Sequence, residues 1–235
     1  MNCQLKERPV CRLAGDTGLI VEFGEEIDLD INQKVRTMAA AVNHIKPDGL
    51  IEIIPTYRSL LFIYDPVQIQ PKNLIALIEE LESTIDTGGE HDVRLIEIPV
   101  CYGGEFGPDM ENVKASSKLD TDEVIRLHSQ PEYPIYMVGF TPGFPFLGGL
   151  DERLFTPRLT TPRLVVPAGS VGIANNQTGM YPIESPGGWQ IIGRTPLTLF
   201  APKRKNPFLY KAGDNIKFIP ISQDQFEQIK QEENM

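Results

Sequence analysis

Between Gly139 and Phe200 the chain places ten of its twenty glycines and eight of its twenty prolines. Proline fixes φ and removes a backbone donor, and glycine admits turns that other residues resist, so a helix of ordinary length cannot run through such punctuation. What remains is a series of short apolar runs, which predicts many short strands joined by tight turns, as in a barrel or sandwich. The second part of the chain is therefore expected to be all-β. One helix precedes this stretch, over Thr121 to Ser129 (TDEVIRLHS), with Thr121 or Asp120 as its cap.

The first hundred residues have a different texture. GLIVEF (18 to 23) reads as a strand, and Ile31 to Ile45 as a helix with apolar residues at Ile31, Val35, Met38, Val42 and Ile45. GLIEIIP and SLLFIYD follow as strands, Pro71 to Thr84 as a helix with proline in its first turn, and VRLIEIPV as a further strand. The order β-α-β-β-α-β is the split βαβ, ferredoxin-like arrangement, an antiparallel α+β sheet with two helices on one face. TGGEHD (87 to 92) is the expected hinge, with the last strand belonging to either side of it. The expected domains are residues 1–92, small and α/β, and residues 93–235, a β-barrel.

With 235 residues, 41% of them hydrophobic, the chain can build one large core or two small ones. A net charge of -10 argues against wrapping nucleic acid or lying on an anionic membrane, both of which need a basic face. Cys3, Cys11 and Cys101 lack CxxC spacing, so neither a disulfide framework nor a structural zinc site is expected. The beginning MNCQLKERPV has no apolar h-region, and no run of about 18 apolar residues occurs, so the expected location is the cytoplasm.

Gly139 to Phe200 contains no His, Cys or Lys, and so cannot alone supply a histidine triad, a thiolate, a Schiff base or a usual transition-metal site. Its cations are Arg153, Arg158, Arg163 and Arg194. A guanidinium is a planar fork that stays charged when partly desolvated, which suits carboxylate or phosphate recognition. Two TPRL tetrapeptides set Arg158 and Arg163 five residues apart, each behind a proline. A straight strand would send that spacing to opposite faces, but Pro162 is expected to break the strand and let both face one cleft. Gln177, Thr178, Tyr181, Ser185 and Thr195 are neutral groups suited to an amide or lactam. Trp189 reads as a core plug. His128 is either a general acid or base or a structural cap of its helix. His44 and His91 are expected in solvent, and Glu105 and Asp109 in a solvated turn, with a metal-holding role through a nucleotide as the alternative. No GxGxxG or P-loop fingerprint occurs.

The runs IPVCYGGEFGPD (98 to 109), EVIRLHS (123 to 129), GFTPGFPFLGGLDERL (139 to 154) and TPRLTTPRLVVPAGSVGIANNQTGMYPIESPGGWQIIGRTPLTLF (156 to 200), with GDTGLIVEFGEEID (15 to 28), resemble the family of 5-oxoprolinase B subunits. That family also holds the sporulation kinase inhibitor KipI and the allophanate hydrolase subunit 1 domain of urea-metabolising enzymes. The resemblance implies a small α/β domain followed by a cyclophilin-like β-barrel. It also implies partners, the A subunit of 5-oxoprolinase and its homologous C subunit, which together with the B protein cleave 5-oxoproline to glutamate with ATP, and Mg2+ with it.

On this reading Arg158, Arg163 and Arg194 hold the substrate carboxylate or a phosphoryl group, with Thr178, Ser185 and Thr195 beside them, while His128, Gln177 and Tyr181 address the lactam. No metal ligands are expected in this chain. Asn175-Asn176 and Ala201 depart from the family pattern, where a glycine and an aspartate are usual. Two other functions share these motifs: inhibition of a sensor histidine kinase, and a part in urea or allophanate metabolism.

Overall fold

A computed structural model describes residues 5–84 and 93–233. The expected hinge TGGEHD, with His91, and Cys3 lie outside the described residues. The chain divides into two compact units, Met1–Asp92 and Val93–Met235.

The first unit runs β1 (Leu5–Leu13), β2 (Gly18–Gly24), α1 (Leu29–Ile45), β3 (Leu50–Pro55), β4 (Ser59–Tyr64) and α2 (Pro71–Thr84). The strands form one sheet in the order β1-β2-β4-β3, every pair antiparallel. Side chains alternate across the sheet, so Leu19, Val21, Phe23, Leu60, Phe62 and Tyr64 share one face. They pack there against Ile31, Val35, Met38 and Val42 of α1 and Leu74 and Ile78 of α2. Asp28 caps α1 by accepting from the amides of Asp30 and Ile31. The split βαβ expectation is corrected: the order is β-β-α-β-β-α, and the strand from Leu95 belongs to the second unit. The place beside β2 is filled by β1 instead. LKERPVCRL escapes a pattern reading because it carries charges and Pro9, which an edge strand tolerates where its register shifts, here between Leu5 and Val10.

The second unit contains β5 (Leu95–Tyr102), α3 (Met110–Ser117), α4 (Thr121–Ser129), β6 (Tyr133–Val138), β7 (Pro145–Leu147), β8 (Arg163–Val166), β9 (Ser170–Ala174), β10 (Gln177–Met180), β11 (Ser185–Gly187), β12 (Gln190–Arg194), β13 (Asn215–Pro220) and α5 (Gln223–Glu233). Seven strands form a sheet in the order β10-β9-β12-β5-β13-β6-β7. Its end strands β10 and β7 lie against each other, so the sheet is a nearly closed barrel. β8 and β11 pair as a separate two-stranded ribbon. The all-β expectation is thereby corrected, since three helices accompany the barrel. α3 is short and weakly patterned, and α5 is fixed by one buried aromatic, Phe226, which meets Phe106 with ring centroids 4.5 Å apart. Asp120 rather than Thr121 caps α4, accepting from the Glu123 amide at 2.8 Å.

Alternation along the barrel wall creates two interiors. Val171, Ile173, Met180 and Ile192 enter the main core with Val100, Phe218 and residues of α3 and α4. Their neighbours Ala174 and Ile191 face the other way and pack with Phe144, Val166, Tyr181 and Trp189 in a smaller aromatic core beneath the ribbon. Trp189 meets Phe144 edge-on, with ring centroids 5.4 Å apart. The wall thus separates an inner face from a ribbon-covered outer face.

His128 is wholly buried on the inner side, stacked 4.6 Å from the ring of Phe218. Its Nδ1 lies 2.8 Å from the Tyr102 hydroxyl and its Nε2 lies 2.7 Å from Thr178 Oγ1, which donates to the Gly172 carbonyl at 3.1 Å. The one hydroxyl proton of Thr178 is thus spent on Gly172, so Thr178 accepts from Nε2–H, and Nδ1 accepts from Tyr102. The chain of bonds is satisfied only by neutral imidazole, and burial pulls the His128 pKa down to about 3. An unfolded histidine titrates near 6.5, so as pH falls below that value the unfolded state binds a proton that the native state refuses. Stability should therefore be full above about pH 6.5 and decline toward the folded value by about 1.4 kcal/mol per pH unit. Urea titrations of the second unit at pH 7.5 and 5 should show this slope, and His128→Asn, although less stable throughout, should lack it. An imidazole 15N signal that titrates between pH 6 and 7 would overturn the assignment.

Candidate functional site

The repeated TPRL segment runs beside the Gly187-Gly188 turn and is tied to it at several points. Thr156 exchanges backbone bonds with Asn175, donating at 3.2 Å and accepting at 2.7 Å. The Pro157 carbonyl accepts from Gln190 Nε2 at 2.9 Å, and the Leu159 amide donates to the Gly188 carbonyl at 2.8 Å. Arg158 is therefore held on both sides by its neighbours' backbone while its own side chain stands exposed. Arg163 opens β8 opposite Gly187.

Arg163 is fixed by its head group as well. Nη2 donates to Asp109 Oδ1 at 2.6 Å, and Nη1 approaches the Trp189 carbonyl at 3.5 Å. The other carboxylate oxygen of Asp109 accepts from the Ile191 amide at 2.7 Å, and the Asp109 amide donates to the Ile191 carbonyl at 2.9 Å. With its side chain 5% exposed against 31% for Arg163, Asp109 is a buried anchor rather than part of a solvated turn, which corrects the expectation made for it. Both oxygens are committed, so Asp109 gives α3 no side-chain cap. Glu105 is exposed, as expected, and accepts from Gln223.

Tyr181 lies below this pair. Burial raises its phenol pKa, opposed by a hydrogen bond with the Trp189 backbone and by the positive charges of Arg158 and Arg163. Both guanidinium groups thus act on the same hydroxyl. Gly187 is required here, because a Cβ at that position would stand 2.4 Å from the Tyr181 oxygen. Ser185 joins the group from β11, and its buried Oγ has no hydrogen-bond partner among the described residues. By strand alternation Gln177 lies on the same side of the wall as Gly179, whose Cβ position abuts Trp189 and Phe144.

The remaining named residues do not join this cluster through side-chain bonds. His128 and Thr178 bond to each other on the inner side. Arg194 donates from Nε to the Ala168 carbonyl at 2.9 Å and the Thr195 amide donates to the Gly169 carbonyl at 2.9 Å, so both secure the turn around Gly169, while Thr195 Oγ1 accepts from the Leu197 amide at 3.3 Å. Arg153 is engaged with Asp151 at 2.7 Å. Reading the sequence missed Asp109 as the partner of Arg163. The signal available was the need of a half-buried guanidinium for a carboxylate.

In chemical terms the outer side carries one arginine immobilised by a carboxylate and a second whose head group is open to solvent, above a buried phenol and a buried hydroxyl that has no partner among the described residues. The two guanidinium groups are the part of that set that can meet a small carboxylate.

Residues 9–210 match the family described as carboxyltransferase domain, subdomain C and D. The chain is 44% identical over 230 residues to the 5-oxoprolinase B subunit of Bacillus subtilis, covering 94% of this chain and 96% of that protein. It is 41% identical to the protein of the same name from Escherichia coli O157:H7, over 91% of this chain and 97% of the relative. The fold alone is shared with the crystal structure of the Kluyveromyces lactis urea amidolyase, at 23% identity and a TM-score of 0.78 over 96% of this chain and 16% of that one. The chain belongs to the carboxyltransferase subdomain C and D family, within which it groups with the B subunits of 5-oxoprolinase.

Proposed function

We propose that this chain is the B subunit of an ATP-dependent 5-oxoprolinase, working with the A and the homologous C subunits to open 5-oxo-L-proline to L-glutamate in the cytoplasm. The observation that carries the reading is identity of 41 and 44% with proteins of that name along more than nine-tenths of the chain. The site supports it in kind. 5-Oxoproline offers one carboxylate and one lactam carbonyl, and the outer side holds a fixed guanidinium above a buried phenol and a buried hydroxyl that has no partner among the described residues.

In this proposal Arg163, locked by Asp109, receives the substrate carboxylate in one orientation, and Arg158 closes over it from solvent. Tyr181 and Ser185 donate toward the lactam oxygen as negative charge gathers there, with Gln177 at the edge of the cluster. His128 and Thr178 act at one remove, by holding β10 in register from the inner side of the wall. Arg194 and Thr195 hold the Gly169 turn that the Tyr181 carbonyl contacts at 2.7 Å. The barrel is taken as cyclophilin-like, with no isomerase activity implied by that fold.

Among the described residues no group of three or more His, Cys, Asp and Glu is placed to hold a metal ion. The glycine-rich turn before α3 spends the amides of Gly103, Phe106 and Gly107 on Ile192 and on Gly103 itself. No step in this chain is routed through ATP. Urea amidolyases are relatives at the level of 22 to 25% identity, and the chain spans 14% of their length, which favours the oxoprolinase reading over theirs.

Co-expression with the candidate A and C subunits should give ATP-dependent glutamate release from 5-oxoproline that vanishes when this chain is omitted; activity undiminished by the omission would sink the proposal. Arg158→Ala should lower kcat/KM by roughly 10- to 100-fold, the worth of one charge-assisted bond, with the melting temperature unchanged. Arg163→Ala should lose activity to a greater degree and also melt earlier, because it leaves the Asp109 carboxylate buried and unpaired. Equal thermal stability of the two variants would show that the Asp109 pair is not the anchor described.

A further inference from the structure

The loop between β6 and β7 presents Phe140 to solvent at 75% exposure, with φ at +67°. A bulky residue seldom occupies that region, and here it forms the centre of a three-residue turn in which the Thr141 amide donates to the Gly139 carbonyl at 2.8 Å. The loop is stiff despite the strain. Gly139 donates to Phe144 at 3.0 Å, Phe144 donates to Thr141 at 3.0 Å, and the Tyr210 hydroxyl donates to the Gly143 carbonyl at 2.7 Å. Strain and exposure of an aromatic ring in a braced loop are both unfavourable to the isolated fold, and such outliers gather where a surface is used.

The surroundings indicate what covers it. Gly143 abuts Pro182, Phe200 and Phe208. Phe208 is 42% exposed and stacks on Phe200, with ring centroids 5.1 Å apart, at the base of the loop 201–207. The backbone bond from Ala201 to Pro207 closes that loop, and its tip carries Lys203, Arg204 and Lys205, all exposed. Of these, Arg204 has Glu233 as a partner at 3.4 Å. A stiff aromatic platform is thus bordered by a cluster of cations in a chain whose net charge is -10. Pro182 directly follows Tyr181, so the platform adjoins the outer face that holds the candidate site.

We infer that the Phe140–Phe208 platform and the Lys203–Lys205 loop form one docking surface for a partner polypeptide that presents an apolar pocket rimmed by carboxylates. This deepens the reading above and rests on it, in that the partner is taken to be the C subunit of the proposed complex, seated so that it closes over Tyr181 and Ser185. Rigid exposed aromatics make effective interface anchors because little ordering remains to be done on binding, and the flanking cations select an acidic surface and steer the encounter.

The test uses the full chain and the purified C subunit, with binding measured by calorimetry at low and high salt. Phe140→Ser should weaken Kd at least 30-fold, as for loss of an interface anchor, with no fall in melting temperature. The double variant Lys203→Glu, Lys205→Glu should weaken it roughly 10-fold at about 0.1 M salt and much less at about 1 M, where screening is strong. Variants that bind like the wild type would overturn the surface while leaving the glutamate-release assay, and with it the proposed activity, intact. Binding lost in the variants but no glutamate release from the wild-type complex would sustain the surface and remove the activity. Failure of the wild type to bind the C subunit, self-association that depends on Phe140, or Phe140-dependent binding to phosphatidylserine vesicles would each overturn the inference.

Discussion

A single carboxylate, that of Asp109, ties together three parts of the second unit that are remote in sequence. One oxygen takes the guanidinium of Arg163 on the ribbon, the other takes the amide of Ile191 on the barrel wall, and the residue itself starts α3. Because it is desolvated, the carboxylate must have both partners or become costly, so the ribbon, the wall and the helix are held to one mutual geometry. Arg163 gains direction from the same bond. A lone arginine on a proline-rich ribbon would sweep many rotamers, whereas this one offers its remaining donors along one fixed vector.

The barrel wall then divides labour by a rule as simple as the two-residue period of a strand. Thr178 faces inward to His128, while Gly179 faces outward to Trp189. The inward face is a closed polar chain within an apolar core and holds the strands in register. The outward side leaves the buried Ser185 hydroxyl without a partner among the described residues and the Arg158 guanidinium exposed, and so retains chemical capacity. Residues adjacent in the chain therefore have unrelated roles, which explains why Gln177 and Thr178 separate in the structure although they read alike as neutral hydrogen-bonding groups.

What could be read beforehand depended on how local the physics was. α1, α2 and α4 were legible because their apolar spacing, with the first-turn proline of α2 and the cap of α4, is written within a few turns, and α2 spans Pro71–Thr84 as the pattern predicts. The glycine and proline density announced short strands. β1 was hidden because charged edge strands carry no strong alternation, and its neighbour assignment is a long-range fact. The stapling of Arg158 was foreshadowed by its proline, but Gln190 and Gly188, which do much of the holding, lie about thirty residues on in sequence. Asp109 was misread for the same reason: in GGEFGPD every neighbour suggests a wet turn, and only the arrival of β12 and Arg163 makes it dry.

The parallel pairing of β5 with β13, from Leu95 against Asn215 to Val100 against Pro220, joins the opening strand of the second unit to its closing one. The partly exposed guanidinium of Arg94 meets the buried carboxylate of Asp214 across 120 residues at the same seam. During synthesis the first strand must therefore wait, unpaired on that edge, until nearly the whole unit has left the ribosome. The ring of strands is completed by the last strand of the unit, so the barrel closes only after nearly all of that unit has been made.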